Sequence, residues 1–332
     1  MIKSIEEGRK EDGNRSIADK ILKRLYDLEK TIETNYGRWA WELLQNAKDS
    51  VADEEDRKVS VKLELSSGNM TFKHNGRRFT EKDVRGIINQ ISSKEIEEDE
   101  ENKTTGKFGT GFLTTHILSK VIEIKGILET VDNRFYKFEF PLDREGKTTK
   151  QLIPKIENAW TSFHNSATEI SEDYNRNRFN TSFSYKLDSD FQQEIAEKGI
   201  KEFSKLIPYV LTFIPIIEKV RIIDNVKGQD IQYKTSQHSD FLEPITCIER
   251  TVDGEIDNIF ILNTSNDRVS IATEVEKVEN GYEIKDISTI PKLFCDFPLI
   301  GSEHFNFPMI INSFFFNPLT ERDGIWLKGD ID

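Results

Sequence analysis

Cys247 and Cys295 are the only thiols in this chain, and no CxxC pair occurs. One bridge cannot staple 332 residues, so a disulfide framework is excluded and free thiols of a reducing compartment are expected. The five histidines show neither HExxH spacing nor another metal-ligand pattern, which argues against a zinc-type centre. Positive charge is scarce: 46 Lys and Arg stand against 59 Asp and Glu, a formal net charge of −13. Such a chain repels phosphate backbones, so generic nucleic-acid coating is disfavoured. Long apolar runs are missing too. The longest, near Val210 to Ile217, contains Pro215 and is too short to span a bilayer. Ser4, Glu6, Glu7, Arg9 and Lys10 make the N-terminus too polar for a secretion signal. A soluble cytoplasmic protein without a membrane partner is expected.

The hydrophobic share is 36%, with 22 Phe, enough to bury a core and to set global disorder aside. The length allows two domains. Residues 1–15 are polar and read as a mobile arm, after which Ser16 can cap a helix carrying Ile17, Ile21, Leu25, Leu28 and Ile32. Tyr36, Ala40, Leu43, Ala47 and Val51 mark a second helix. Val59, Val61, Leu63 and Leu65 alternate as in a half-buried strand, and a strand over Met70–Lys73 follows a Ser-Gly-Asn turn. Strands are expected at Val121–Leu128, Phe135–Phe140 and Thr181–Leu187, with residues 143–180 irregular or carrying a helical insertion. A long helix is expected from Asp188 to Leu206. From about Ile216, short strands punctuated by Gly228, Gly254 and Gly281 suggest a second, β-rich α+β domain over 216–332. No internal repeat is visible.

Three local patterns carry chemistry. Glu42, Asn46 and Asp49 are spaced i, i+4, i+7, so on a helix they share one face beside the apolar stripe. A carboxylate so placed can accept a proton from water, and an amide oxygen is a hard ligand suited to Mg²⁺. An ordinary amphipathic surface helix produces the same spacing. His74-Asn75-Gly76 ends a strand, where a glycine permits close approach by a flat ligand or makes a simple Asn-Gly turn. Thr80 can cap the helix after it. Finally Ser92-Ser93-Lys94 and an acidic stretch over 95–102 precede Gly106-Lys107-Phe108-Gly109-Thr110-Gly111-Phe112. Glycines before a helix N-terminus expose backbone N–H groups to anions, and Ser92, Ser93, Thr110 and Lys94 could add phosphate contacts. A structural glycine turn and a solvated acidic loop are the plainer alternatives. The GxxGxG order fits neither the dinucleotide fingerprint nor the P-loop.

Taken in order, these elements resemble the GHKL ATPase superfamily of gyrase, the 90-kDa heat-shock chaperones, histidine kinases and MutL. The likeness covers about residues 16–215 and is nearest to the chaperone and sacsin-like branch. Residues from Asn312-Ser313-Phe314 to Glu321-Arg322-Asp323-Gly324-Ile325 are similar to a segment that follows such domains in sacsin-like proteins. The resemblance implies a Bergerat-type α/β sandwich, a mixed sheet covered by helices, ahead of the second domain. It implies Glu42 as general base, Asn46 as the Mg²⁺ ligand and Asp49 as support for the adenine end. It further implies base approach at Gly76, a triphosphate wrapped by Gly106, Gly109 and Gly111, a lid over 95–105, and Thr181 near the base-binding acid. A second-domain arginine often reaches the γ-phosphate in relatives. Arg322 is the candidate, with a structural pairing to Glu321 or Asp323 as the alternative. Two positions depart from the family's DxGxG turn. His74 stands for the Asp and Arg78 for the second Gly, so Asn75 could share the base-reading role and Arg78 could crowd or stack on the base.

The expectation is thus slow, Mg-dependent ATP hydrolysis coupled to a conformational change. The chain would be the ATPase part of a larger chaperone-like or defence-type protein, with a possible nucleotide-dependent homodimer. The alternative is a nucleotide-gated interaction module with little or no hydrolysis. A histidine kinase is disfavoured because no phospho-acceptor helix precedes the domain, and a topoisomerase subunit by the acidic charge.

Overall fold

The structure is a computed structural model that describes residues 2–33, 36–52, 56–90, 111–170, 175, 177–236, 244–319 and 322–325. The chain is a mixed α+β protein that divides into two compact units. The first comprises Met1–Asp53 and Leu63–Gly199, the second Glu54–Lys62 and Ile200–Asp332. The sequence suggested a boundary at 215/216. The division falls instead inside a helix at Gly199, and a short inner segment, Glu54–Lys62, belongs to the second unit.

In the first unit, α1 (Ile2–Lys30) runs through the stretch expected to be a mobile arm. The Lys, Glu and Arg residues there are good helix formers and carry the helix outward, past Gly8 and Gly13, from the buried seam of Ala18, Ile21, Leu25 and Leu28. Next come α2 (Arg38–Asp49), β1 (Val59–Ser66), β2 (Asn69–His74) and α3 (Glu81–Asn89). Val59, Val61, Leu63 and Leu65 are fully buried, so the alternation read from sequence holds. Thr80 and Asp83 form a capping box that starts α3. A short helix, α4 (Gly111–Thr114), continues as a 3₁₀ turn over Thr115–Ile117. The hairpin β3 (Val121–Glu129) and β4 (Phe135–Asp143) precedes α5 (Thr149–Ser166), an 18-residue helix that is the insertion allowed for in the stretch 143–180. Then follow β5 (Thr168–Ile170), β6 (Thr181–Lys186) and α6 (Asp190–Phe213). Strand order in this unit is β1-β2-β6-β3-β4-β5, with β1 belonging to it from Leu63 onward. The β2/β6, β6/β3, β3/β4 and β4/β5 pairs are antiparallel. Phe138 and Phe140 of β4 meet Phe163 of α5 edge-on at 5.2 and 5.8 Å, which fastens α5 onto the strands.

The second unit orders its strands β7 (Ile217–Asp224), β8 (Gln229–Thr235), β9 (Ile245–Val252), β10 (Glu255–Ser265), β11 (Ser270–Val278), β15 (Ile310–Asn312), β13 (Leu293–Cys295) and β14 (Phe297–Pro298). A short β12 (Gly281–Ile284) lies on β11. Only β13 and β15 pair in parallel among the strand pairs described in this unit. The later part of α6 belongs to this unit because its side chains are engaged there. Ser204 meets the Tyr233 hydroxyl at 2.8 Å, Tyr209 donates to Glu274 at 3.2 Å, and Phe213 packs edge-on against Phe294.

Among the described residues, no helix is long and apolar enough to cross a membrane.

Candidate functional site

The spacing of Glu42, Asn46 and Asp49 suggested one face beside the apolar stripe, with an ordinary solvated helix face as the plainer alternative. In α2, however, nine of twelve residues are buried, Glu42 among them at 6% exposure. Burying a carboxylate needs a partner. Arg38, one turn earlier and equally enclosed, supplies it by donating from Nε to Glu42 Oε1 at 3.1 Å. The other oxygen faces Gly111, where a Cβ would lie 2.1 Å from Oε2. A side chain at position 111 would therefore have to displace the end of the Glu42 side chain, which Arg38 holds. Asn46 is exposed one turn beyond Glu42, and Asp49 is half-buried at the helix end.

The end of β2 meets the end of α2. A Cβ on Gly76 would lie 1.9 Å from Ser50 Oγ and 2.7 Å from His74 Nδ1, so a serine hydroxyl and an imidazole fill that space. His74, Asn75 and Gly76 are all buried. His74 Nδ1 accepts the Gly76 N–H at 3.1 Å, which sets the neutral tautomer with the proton on Nε2. Thr181 stands opposite His74 in the β2/β6 register and is buried. The His74 ring stacks on Phe183 at 6.3 Å, and Phe183 meets Phe112 of α4 at 5.3 Å. This aromatic row joins the β2 turn to the helix that opens after the glycine segment.

Two of the three sequence patterns are therefore joined to the start of α4 by separate contacts: Glu42 through Gly111, and His74 through Phe183 and Phe112. Ser92, Ser93, Lys94, Gly106, Lys107, Phe108, Gly109, Thr110 and the acidic lid lie outside the described residues. The flank on the α3 side is firmly held. Gln90 takes a left-handed conformation with φ 53°, and its amide donates to Ile87 O at 2.8 Å. Trp160 donates to Asn89 Oδ1 at 3.1 Å, and Arg144 donates to Ile88 O at 2.6 Å.

Arg144 is fully enclosed, and burial lowers its pKa to about 9. His116, in the turn after α4, accepts no charge at neutral pH. Burial, and next the charge of Arg144, depress its pKa to about 3, while its Nδ1 lies 3.1 Å from Ser119 O.

Neither any family model nor any curated protein sequence matches this chain.

The remaining candidates fall elsewhere. Arg78 has partners on the β3–β4 side. Its guanidinium pairs with Glu129 at 3.1 Å and lies 4.5 Å from the centre of the Phe135 ring. Arg322, in the second unit, has a left-handed backbone with φ 53° and donates to the carbonyls of Cys295 at 2.8 Å and Phe297 at 3.4 Å. Its described partners are thus hairpin carbonyls between β13 and β14. Phe314–Phe316 do not pack together as core: Phe315 is 70% exposed, with its neighbours half-buried. A run of three leaves the chain no periodicity with which to turn all the rings inward.

Among the described residues, no cluster of His, Cys, Asp and Glu forms a metal cage. Mg²⁺ carried by phosphates needs none, since it keeps its waters and takes one or two protein oxygens. The exposed amide of Asn46 is of that kind.

Arg38, Ser50, His116 and Arg144 were not singled out from sequence. Arg38 carried a usable signal, as it stands four residues before Glu42 on a helix. Ser50 falls one residue outside the ExxxNxxD spacing, and Arg144 gives no local sign that it is buried.

Proposed function

We propose that the first unit is a Bergerat-type nucleotide-binding domain that binds a Mg-nucleoside triphosphate and hydrolyses it slowly. The observation that carries this reading is the meeting of Glu42 with Gly111. A buried carboxylate on α2 lies against the last glycine of GxxGxG, which opens a helix. In this reading Glu42 would be the base and the backbone at Gly111 part of the anion-binding turn, 69 residues apart in sequence (111 − 42).

Glu42 is the group that would orient and deprotonate the attacking water. Arg38 fixes its rotamer through Oε1, so that Oε2 is the oxygen directed toward α4. Asn46 would contribute its amide oxygen to Mg²⁺. The metal supplies charge stabilisation on the phosphates when bound. Ser50, Gly76 and the His74 ring would border the base. Arg322 is left out of the catalytic set, because its guanidinium already serves the β13–β14 hairpin.

A second reading also has an observation behind it. Glu42 is buried and its Oε1 is already held by Arg38, which suits a nucleotide-gated dimerisation module that turns over little. The Glu42→Gln variant separates the two. For an ATPase, phosphate release falls by about 10²–10⁴-fold while ATP affinity stays within a few-fold. For a gated module, wild type shows ATP-dependent dimerisation and no release above background. A wild-type protein that binds no nucleoside triphosphate with Mg²⁺ rejects both.

A further inference from the structure

We propose that Ser50 determines base specificity, by accepting a hydrogen bond from an exocyclic amino group, so that the site prefers adenine to a 6-oxo purine. The inference rests on the nucleotide reading above and deepens it.

The polarity of the hydrogen bonds around Gly76 carries the argument. Ser50 Oγ and His74 Nδ1 both crowd the point where a Gly76 side chain would start. His74 Nδ1 is committed as acceptor of the Gly76 N–H at 3.1 Å. The neutral ring therefore carries its proton on Nε2 and presents a donor there. That is the wrong polarity for an amino group. Ser50 has the opposite assignment. Its single hydroxyl proton is directed to Ala47 O at 2.7 Å, one turn back along α2. What the oxygen has left to offer is lone pairs. Ser50 is also half-exposed, whereas His74 is 5% exposed.

An amino group at a base edge would donate to those lone pairs. A carbonyl oxygen at the same place would face another acceptor, leaving both unsatisfied. Sites that hydrogen-bond a defined group discriminate in this way because the mismatched ligand leaves polar groups unpaired. The neighbouring carboxylate, Asp49, is the competing acceptor. It precedes Ser50 by one residue on the helix, which directs the two side chains about 100° apart.

The test compares affinities of ATP and inosine triphosphate, both with Mg²⁺, for the full chain as wild type, Ser50→Ala and Asp49→Asn. Inosine triphosphate differs at the 6-position and in carrying a proton on N1, shares the triphosphate, and serves as the internal control for folding and for the phosphate half of the site. Wild type is expected to bind ATP more tightly. Ser50→Ala is expected to lose about three- to tenfold in ATP affinity, the scale of one neutral hydrogen bond, with inosine triphosphate bound no more weakly than by wild type. Three results overturn the proposal: an unchanged ATP preference in Ser50→Ala, equal losses for both nucleotides, or a preference removed by Asp49→Asn and kept by Ser50→Ala. If wild type binds neither nucleotide, the nucleotide reading itself fails and takes this inference with it. That outcome is distinct from tight but non-discriminating binding, which rejects Ser50 alone.

Discussion

A methyl group at position 111 would sit 2.1 Å from Glu42 Oε2, well inside contact distance. Gly111→Ala must therefore displace the carboxylate or the start of α4. The expected cost is about 1–3 kcal/mol of stability, with phosphate release lost along with Glu42 orientation. Normal release at a normal denaturation midpoint would contradict the close packing. The ion pair beside it behaves differently. Arg38 and Glu42 are both under 10% exposed, so removing one strands the other. Arg38→Met should destabilise by about 3–5 kcal/mol, and adding Glu42→Leu should recover most of that. A double variant no more stable than the single one would show that the pair contributes net stability. His116 supplies a pH dependence. Its folded pKa, about 3, lies below the ordinary 6.5, so its contribution is complete above pH 6.5 and is lost as pH falls toward 3. The loss should approach about 1.4 kcal/mol per pH unit in that window. His116→Gln should flatten the acid side of the stability curve, and an equally steep curve would remove His116 as the cause.

Among the elements, α3 was the most readable in advance. Thr80 as a cap follows from residue type alone, and the box with Asp83 is present at 3.2 Å from Asp83 N to Thr80 Oγ1. Asp83 also accepts from Thr80 N and from Arg77, both at 2.8 Å. Thr80→Ala should cost about 1 kcal/mol, and Asp83→Ala more, since its carboxylate accepts four hydrogen bonds, two from Thr80 and two from Arg77. Equal losses in thermal unfolding would mean that Arg77 contributes nothing. The β1 alternation and the β3–β4 hairpin were legible for the same reason: period and turn chemistry are local properties. Residues 1–15 were misread because this polar start of α1 carries no apolar stripe, whereas the helical insertion allowed for in 143–180 is α5, whose buried Leu152, Ile156, Ala159 and Phe163 recur at helical spacing. In the site, Glu42, Asn46 and Gly76 stood out by spacing. Ser50 and Arg38 did not, because what distinguishes them is proximity to residues distant in sequence. Arg144 was hidden for a further reason: composition says that arginines are exposed.

For the whole molecule, the units are interleaved rather than strung in series. Glu54–Lys62 lies between the two stretches of the first unit and belongs to the second. There Val59 N donates to Ile216 O at 2.9 Å, and Ser60 donates to Glu218 at 3.0 Å. A fragment ending at residue 215, the boundary suggested by pattern, would remove both partners. It should show faster amide exchange at residues 59–62 than the intact chain, and equal protection would show that this segment is held from within the first unit.

The Ser60–Glu218 bond also has a meaning for the order of synthesis. Its two ends are separated by 158 residues. At roughly 5–20 residues per second, the segment holding Ser60 leaves the ribosome on the order of ten seconds before its partner is made. During that interval the row Val59, Val61, Leu63 and Leu65 is a newly made apolar strand whose β7 partner does not yet exist. The nascent chain should therefore depend on shielding by chaperones until about residue 224 has emerged, and slowing translation should lower the soluble yield rather than raise it.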